Sequence, residues 1–188
     1  MQEKKWKICC AKKQINTVHE KFANHSRVCY ALAMILYYSR TKKSALAAQA
    51  LHEITGMPLY ALETDINSFT GIKFGWNALR SVMSKKGYPV SNLPGNVPGE
   101  VYLCGPIWAG EMAGPLKYVV TNVDFSKTVV HVLLTGMQPS EQNRISTQKL
   151  LLKSGCLPGE VYLMATPKQM PEKEVVTEHL RALLGGDA

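Results

Sequence analysis

The sequence predicts a doubly wound α/β fold: a five-stranded parallel sheet with helices on both faces. Apolar strand-length runs and helix-period segments alternate along the chain about five times, the pattern of a parallel sheet crossed by helices. The first run, Ala31 to Tyr38, is continuously apolar, as in a strand covered on both faces. A length of 188 residues suits one well-buried core, and 46% hydrophobic residues suit a globular chain.

After the first strand comes a short loop of hydroxyls and positive charge, Ser39-Arg40-Thr41-Lys42-Lys43-Ser44, and then a helix from Ala45. Leu46, Ala50, Leu51 and Ile54 share one face of that helix, and Gly56 followed by Pro58 stops it. A helix N-terminus carries unpaired N–H groups and about half a positive charge, so this junction is a candidate anion site. In isolation the same residues also read as a Ser44 cap with solvated lysines.

Pro58 to Glu63 is short enough for a second strand, and a polar stretch runs from Thr64 to Gly75. Trp76, Leu79, Val82 and Met83 lie at helical spacing before a Lys85-Lys86-Gly87 stop. A proline- and glycine-rich loop from Tyr88 to Glu100 delivers the third strand, Val101 to Cys104. Gly105 to Gly114 reads as a loop, and Pro115 opens the next helix at a position that tolerates it. Thr128 to Leu134 is a β-branched strand ending in Thr135-Gly136-Met137. A mixed region containing Leu150-Leu151-Leu152 precedes the fifth strand, Glu160 to Met164, and the last helix runs from Pro171 to Leu184. Pro-Gly-Glu-Val-Tyr-Leu occurs at 98–103 and again at 158–163, and both copies read as turns leading into strands.

The net charge of +8 is unevenly distributed. Residues 1–30 carry seven basic and two acidic side chains, a net +5, which leaves +3 for the rest. We therefore expect a basic N-terminal extension at 1–28 and a single domain at 29–188, and nucleic acid is not an expected partner. No secretory signal or membrane-spanning run is expected, and five scattered cysteines, with Cys9-Cys10 the only cluster, suit reduced thiols in a cytoplasmic protein with no metal site.

In such a sheet, ligands bind at the carboxyl ends of the strands where the winding reverses. Three loops are expected there: Ser39–Ser44, Gly105–Gly114 and Thr135–Ser140. The second places Trp108, a flat apolar ring, among small residues that let backbone approach a ligand.

Tyr37-Tyr38-Ser39-Arg40-Thr41, the loop Leu103 to Gly110, and Gly114-Pro115-Leu116-Lys117 together resemble the flavodoxin-like family of flavin mononucleotide (FMN) proteins. The likeness extends over roughly Tyr30 to Leu184 and is most specific from Gly105 to Lys117. It implies strand order 2-1-3-4-5 and phosphate contacts from Ser39, Thr41 and Ser44 within the loop that also holds Arg40, Lys42 and Lys43. It also implies flavin-ring contacts from Pro106, Ile107, Trp108, Ala109 and Gly110, with Thr135, Gly136 and Met137 bordering the ring. Lys42 and Lys43 stand where the family has glycine and a small or polar residue, and Cys104-Gly105 replaces a hydroxyl-bearing pair. The function implied is FMN-dependent electron transfer or reduction, an oxidoreductase role, with a redox protein or a small-molecule acceptor as partner. The alternatives are a nicotinamide-dependent quinone or small-molecule reductase, and a binding module that has kept the fold without the flavin. The basic chain departs from the acidic character of electron-shuttling flavodoxins. No side chain is identified as a catalytic acid or base; Glu111 is the nearest candidate.

Overall fold

A computed structural model describes residues 33–185. The expected extension at 1–28, the Cys9-Cys10 pair and the start of the first apolar run lie outside the described residues. Strand β1 (Ala33–Tyr37) leads to helix α1 (Lys43–Thr55), β2 (Leu59–Ala61), a 3-10 turn (Asp65–Ser68) and α2 (Gly71–Met83). Then follow β3 (Glu100–Trp108), β4 (Glu111–Met112), α3 (Gly114–Asn122), β5 (Val129–Gly136), α4 (Glu141–Lys153), β6 (Leu157–Ala165) and α5 (Lys173–Gly185).

The parallel strands lie in the order β2-β1-β3-β5-β6, which is the expected order 2-1-3-4-5 once the short antiparallel β4 is set aside. Alternation along each strand separates two cores. Leu36, Leu103, Val132 and Leu134 face Leu116 and Val119 of α3 and Leu151 of α4. Ile35, Tyr102, Cys104, Leu133 and Met164 face Ala47, Ala48 and Leu51 of α1 and Val176 and Leu180 of α5. Lys173 of α5 pairs with Glu53 of α1 on that second face.

Four boundaries differ from the sequence expectation. Strand β3 continues through Gly105, Pro106, Ile107 and Trp108, which read as loop. The β5 ladder continues beside it, Gly105 against Leu134 and Pro106 against Thr135. Strand β1 has already ended opposite Cys104, and on that side Pro106 meets only the return of the chain after β4, where its carbonyl accepts the Ala113 N–H at 3.1 Å, so no strand of the parallel sheet needs the N–H that proline lacks.

The mixed region before the last strand is helix α4. Its buried face is built from Asn143, Thr147 and Leu151, and polar residues at two of these three positions hide the apolar period. The Asn143 side-chain carbonyl accepts the Ser140 N–H at 2.7 Å, which fixes the start of this helix. Helix α2 begins at Gly71, ahead of the first apolar residue that signals it, because Gly71 and Gly75 interrupt the pattern. Strand β6 starts at Leu157, three residues early, with an irregularity in its pairing opposite Val130 to Val132.

That irregularity holds the amino end of the sheet together. The Glu160 N–H donates to His131 Nδ1 at 3.1 Å, so the ring carries its proton on Nε2, 3.4 Å from Glu100 Oε1. Tyr102 stacks on the imidazole at 4.5 Å with 10° between planes. Gly159 allows this approach: a Cβ there would lie 2.8 Å from the imidazole ring. Glu100 and Glu160 come from the two copies of the repeated hexapeptide, so the repeat brackets one histidine.

Candidate functional site at the carboxyl edge of the sheet

The three expected loops meet at the carboxyl end of the parallel strands. One chain of hydroxyls links all three: Ser44 Oγ lies 2.7 Å from Thr135 Oγ1, which donates to the Gly105 carbonyl at 3.5 Å. Both side chains are buried, so Ser44 and Thr135 serve as a tie between α1, β3 and β5. What Ser44 leaves open is its backbone N–H.

The start of α1 has the geometry of an anion site. The first helical bond runs from the Leu46 N–H to the Lys42 carbonyl at 2.9 Å, leaving the N–H groups of Lys43, Ser44 and Ala45 without intrahelical partners. Lys42 occupies the N-cap position in the left-handed region, φ 65 and ψ −12, and its side chain is exposed. A non-glycine residue in this conformation costs on the order of 1 kcal/mol, so the loop holds a turn that glycine would adopt freely. The Ser39 hydroxyl is buried and has no hydrogen-bond partner among the described residues. Thr41 is exposed beside it.

The other two cations of the loop are used elsewhere. Arg40 lies over the Phe74 ring, 3.3 Å from its centroid, and donates to the Phe69 carbonyl at 3.1 Å. Lys43 Nζ donates to the carbonyls of Pro167 and Lys168, the latter at 2.8 Å, fastening the loop after β6 to the start of α1.

The expected ring loop is a tight hairpin. Ala109 (φ 47) and Gly110 (φ 81) both take positive φ, turning β3 into β4 with Trp108 opposite Glu111 and Ile107 opposite Met112. Asn143 Nδ2 donates to the Gly110 carbonyl at 2.6 Å and so fastens the turn to the start of α4. Trp108 is held edge-on between Tyr38 and Phe74, each at 5.4 Å and 90°. Tyr38 donates to Asn67 Oδ1 at 2.8 Å, and burial pushes its phenol well above its ordinary value, with Arg40 acting in the opposite sense. Tyr38 and Phe74 therefore flank the indole, and Arg40 packs on the Phe74 ring. Sequence reading missed Phe74, Tyr38 and Asn143 as parts of this edge. Phe74 sits inside the polar stretch at 64–75, and only its spacing of two from Trp76 was available to flag it.

Between the hairpin and the third loop lies a cleft of about 290 Å³ lined by Ile107, Gly136, Met137 and Gln138. This is near the lower bound of roughly 300–1,000 Å³ for small-molecule sites. Gly136 keeps the cleft open, since a Cβ there would lie 3.2 Å from Ile107 Cδ1. Its carbonyl accepts the Thr166 N–H at 2.7 Å, so the cleft floor is anchored to the end of β6. Cys104, next to Gly105 on β3, is fully buried, and burial pushes its thiol up, so it stays protonated. Among the described residues no group of three or more His, Cys, Asp or Glu side chains is arranged to hold a metal.

The sheet order, the crossing helices and the placement of this edge define a flavodoxin-like fold. Solved structures share it. A candidate flavoprotein from Bacteroides uniformis superimposes with a TM-score of 0.63 at 21% identity, covering 80% of this chain and 98% of that one. One from Bacteroides eggerthii gives 0.64 at 16% identity, covering 81% and 98%. A flavoprotein from Lactobacillus acidophilus, solved in complex with FMN, gives 0.56 at 18% identity, covering 71% and 93%. No protein-family model and no curated protein matches the sequence.

Proposed function

We propose that the chain binds one FMN at this edge and serves electron transfer or flavin-dependent reduction. The observation that carries the reading is the buried, unpartnered Ser39 hydroxyl beside the three open N–H groups at the start of α1. A buried hydroxyl without a partner costs about 1–3 kcal/mol, which an anion accepting its hydrogen bond removes. The fold likeness to a flavoprotein solved with FMN supports the same reading.

In this reading Ser39, Thr41 and the amides of Lys43, Ser44 and Ala45 receive the phosphate, and Lys42 adds a nearby positive charge. The ring lies along the cleft, bordered by Pro106, Ile107, Trp108, Ala109 and Gly110 on one side and Thr135, Gly136 and Met137 on the other. Bound flavin supplies the electron or hydride chemistry, and the chain supplies binding, orientation and exclusion of water. The partner is a redox protein or a small-molecule acceptor. We place the protein in the cytoplasm, in keeping with the free buried thiols of Cys104 and Cys156.

Protein mixed with excess FMN and then desalted is expected to retain flavin absorbance and quenched flavin fluorescence at one flavin per chain. A colourless protein after this treatment refutes the proposal. Steady-state oxidation of a reduced nicotinamide with a quinone acceptor separates a reductase from a one-electron carrier.

A second reading, a module that keeps the fold without flavin, is favoured by the commitment of Arg40 to Phe74 and of Lys43 to the loop after β6. Replacing Lys42 and Lys43 with Gly and Asn separates the two. FMN binding tightens if the lysines obstruct the loop, and weakens if they hold the phosphate.

A further inference from the structure

Helix α2 turns four large apolar residues outward. Ile72, Trp76, Leu79 and Met83 are 92%, 67%, 42% and 77% exposed, while Ala78, Ser81 and Val82 are buried. At about 100° per residue the four exposed side chains fall within an arc of roughly 60°, a straight ridge about 16 Å long. Lys73 and Arg80 lie immediately beside it on one flank, and Lys85 and Lys86 follow the helix end. All four cations are exposed, none is in an ion pair among the described residues, and residues 71–87 contain no acidic side chain.

We propose that this ridge docks on the surface of an anionic lipid bilayer. The pattern is that of an interfacial helix, with Trp and aliphatic residues entering the headgroup boundary and cations meeting acidic lipid. Charge argues against two other occupants. A second copy paired through the same face brings like-charged sets together, and residues 1–30 of this chain are themselves net +5. Among the described residues no helix is long and apolar enough to cross a membrane, so the contact lies in the plane of the surface.

Flotation of the full chain with vesicles tests this. The protein is expected to float with vesicles of phosphatidylcholine and phosphatidylglycerol in equal parts, less so at high salt, and not with phosphatidylcholine alone. Ile72→Ser combined with Met83→Ser is expected to lower the bound fraction about tenfold with unchanged circular dichroism. Binding is also expected to shift tryptophan emission to the blue, and Trp76→Phe to remove that shift. The proposal is overturned if the parent floats with neither vesicle, or if the double variant floats as well as the parent, leaving the basic residues at 1–30 to account for binding. It is equally overturned if the double variant converts a dimer to a monomer without changing flotation.

Discussion

At the amino end of the sheet His131 has both ring nitrogens engaged and a tyrosine stacked on its face, whereas at the carboxyl end Ser39 keeps a buried hydroxyl with no partner beside a helix start held in a left-handed turn. The half-buried His131 ring has a partner at each nitrogen, whereas the buried Ser39 hydroxyl has none among the described residues. Complete networks contribute to folding, while open ones cost stability that a bound molecule recovers. Under the proposed function, the His131 cluster does structural work and the edge near Ser39 does the binding.

The largest expected effect separates the two ends. His131→Ala leaves the Glu160 N–H without its acceptor and removes the Tyr102 stack. It is expected to cost about 2–3 kcal/mol in urea unfolding while leaving FMN affinity unchanged. Equal losses in both measurements would break the assignment. At the other end, Ser39→Ala is expected to weaken FMN binding about tenfold with stability unchanged or slightly raised, since it removes an unsatisfied group. A stability loss without a binding change would place Ser39 in the structural class.

Lys42→Gly sharpens the account of the loop. Relief of the left-handed turn is expected to raise stability by about 1 kcal/mol, read as a higher urea midpoint. The smallest effect is pH dependence at the amino end. Burial lowers the His131 pKa, with Glu100 and Glu160 opposing it in part, so the unfolded chain binds the proton more readily. The resulting stability is fully present above the unfolded value of 6.5 and is lost as pH falls below it toward the lower folded value. His131→Phe is expected to flatten this part of the stability profile, and an unchanged slope would assign it to other groups.

Much of the fold was legible in the sequence because parallel strands covered on both faces are continuous apolar runs, as at Met34 to Tyr38 and Val130 to Leu134. Helix α4 was not, because Asn143 and Thr147 occupy core positions on its buried face. The extension of β3 to Trp108 was hidden by Gly105 and Pro106, which signal a loop until the neighbouring ladder is known. The converging loops were legible from the strand ends. The roles inside them were not: that Ser44 is spent on Thr135, Arg40 on Phe74 and Lys43 on the loop after β6 depends on contacts 29 to 125 residues apart in the chain.

The most direct test compares FMN with riboflavin, which has the same ring and no phosphate, by fluorescence titration of the parent and of Ser39→Ala. With the phosphate at the start of α1, FMN binds at least about tenfold more tightly than riboflavin, and Ser39→Ala narrows that ratio. Equal affinity for the two flavins, or no quenching by either, would contradict the account.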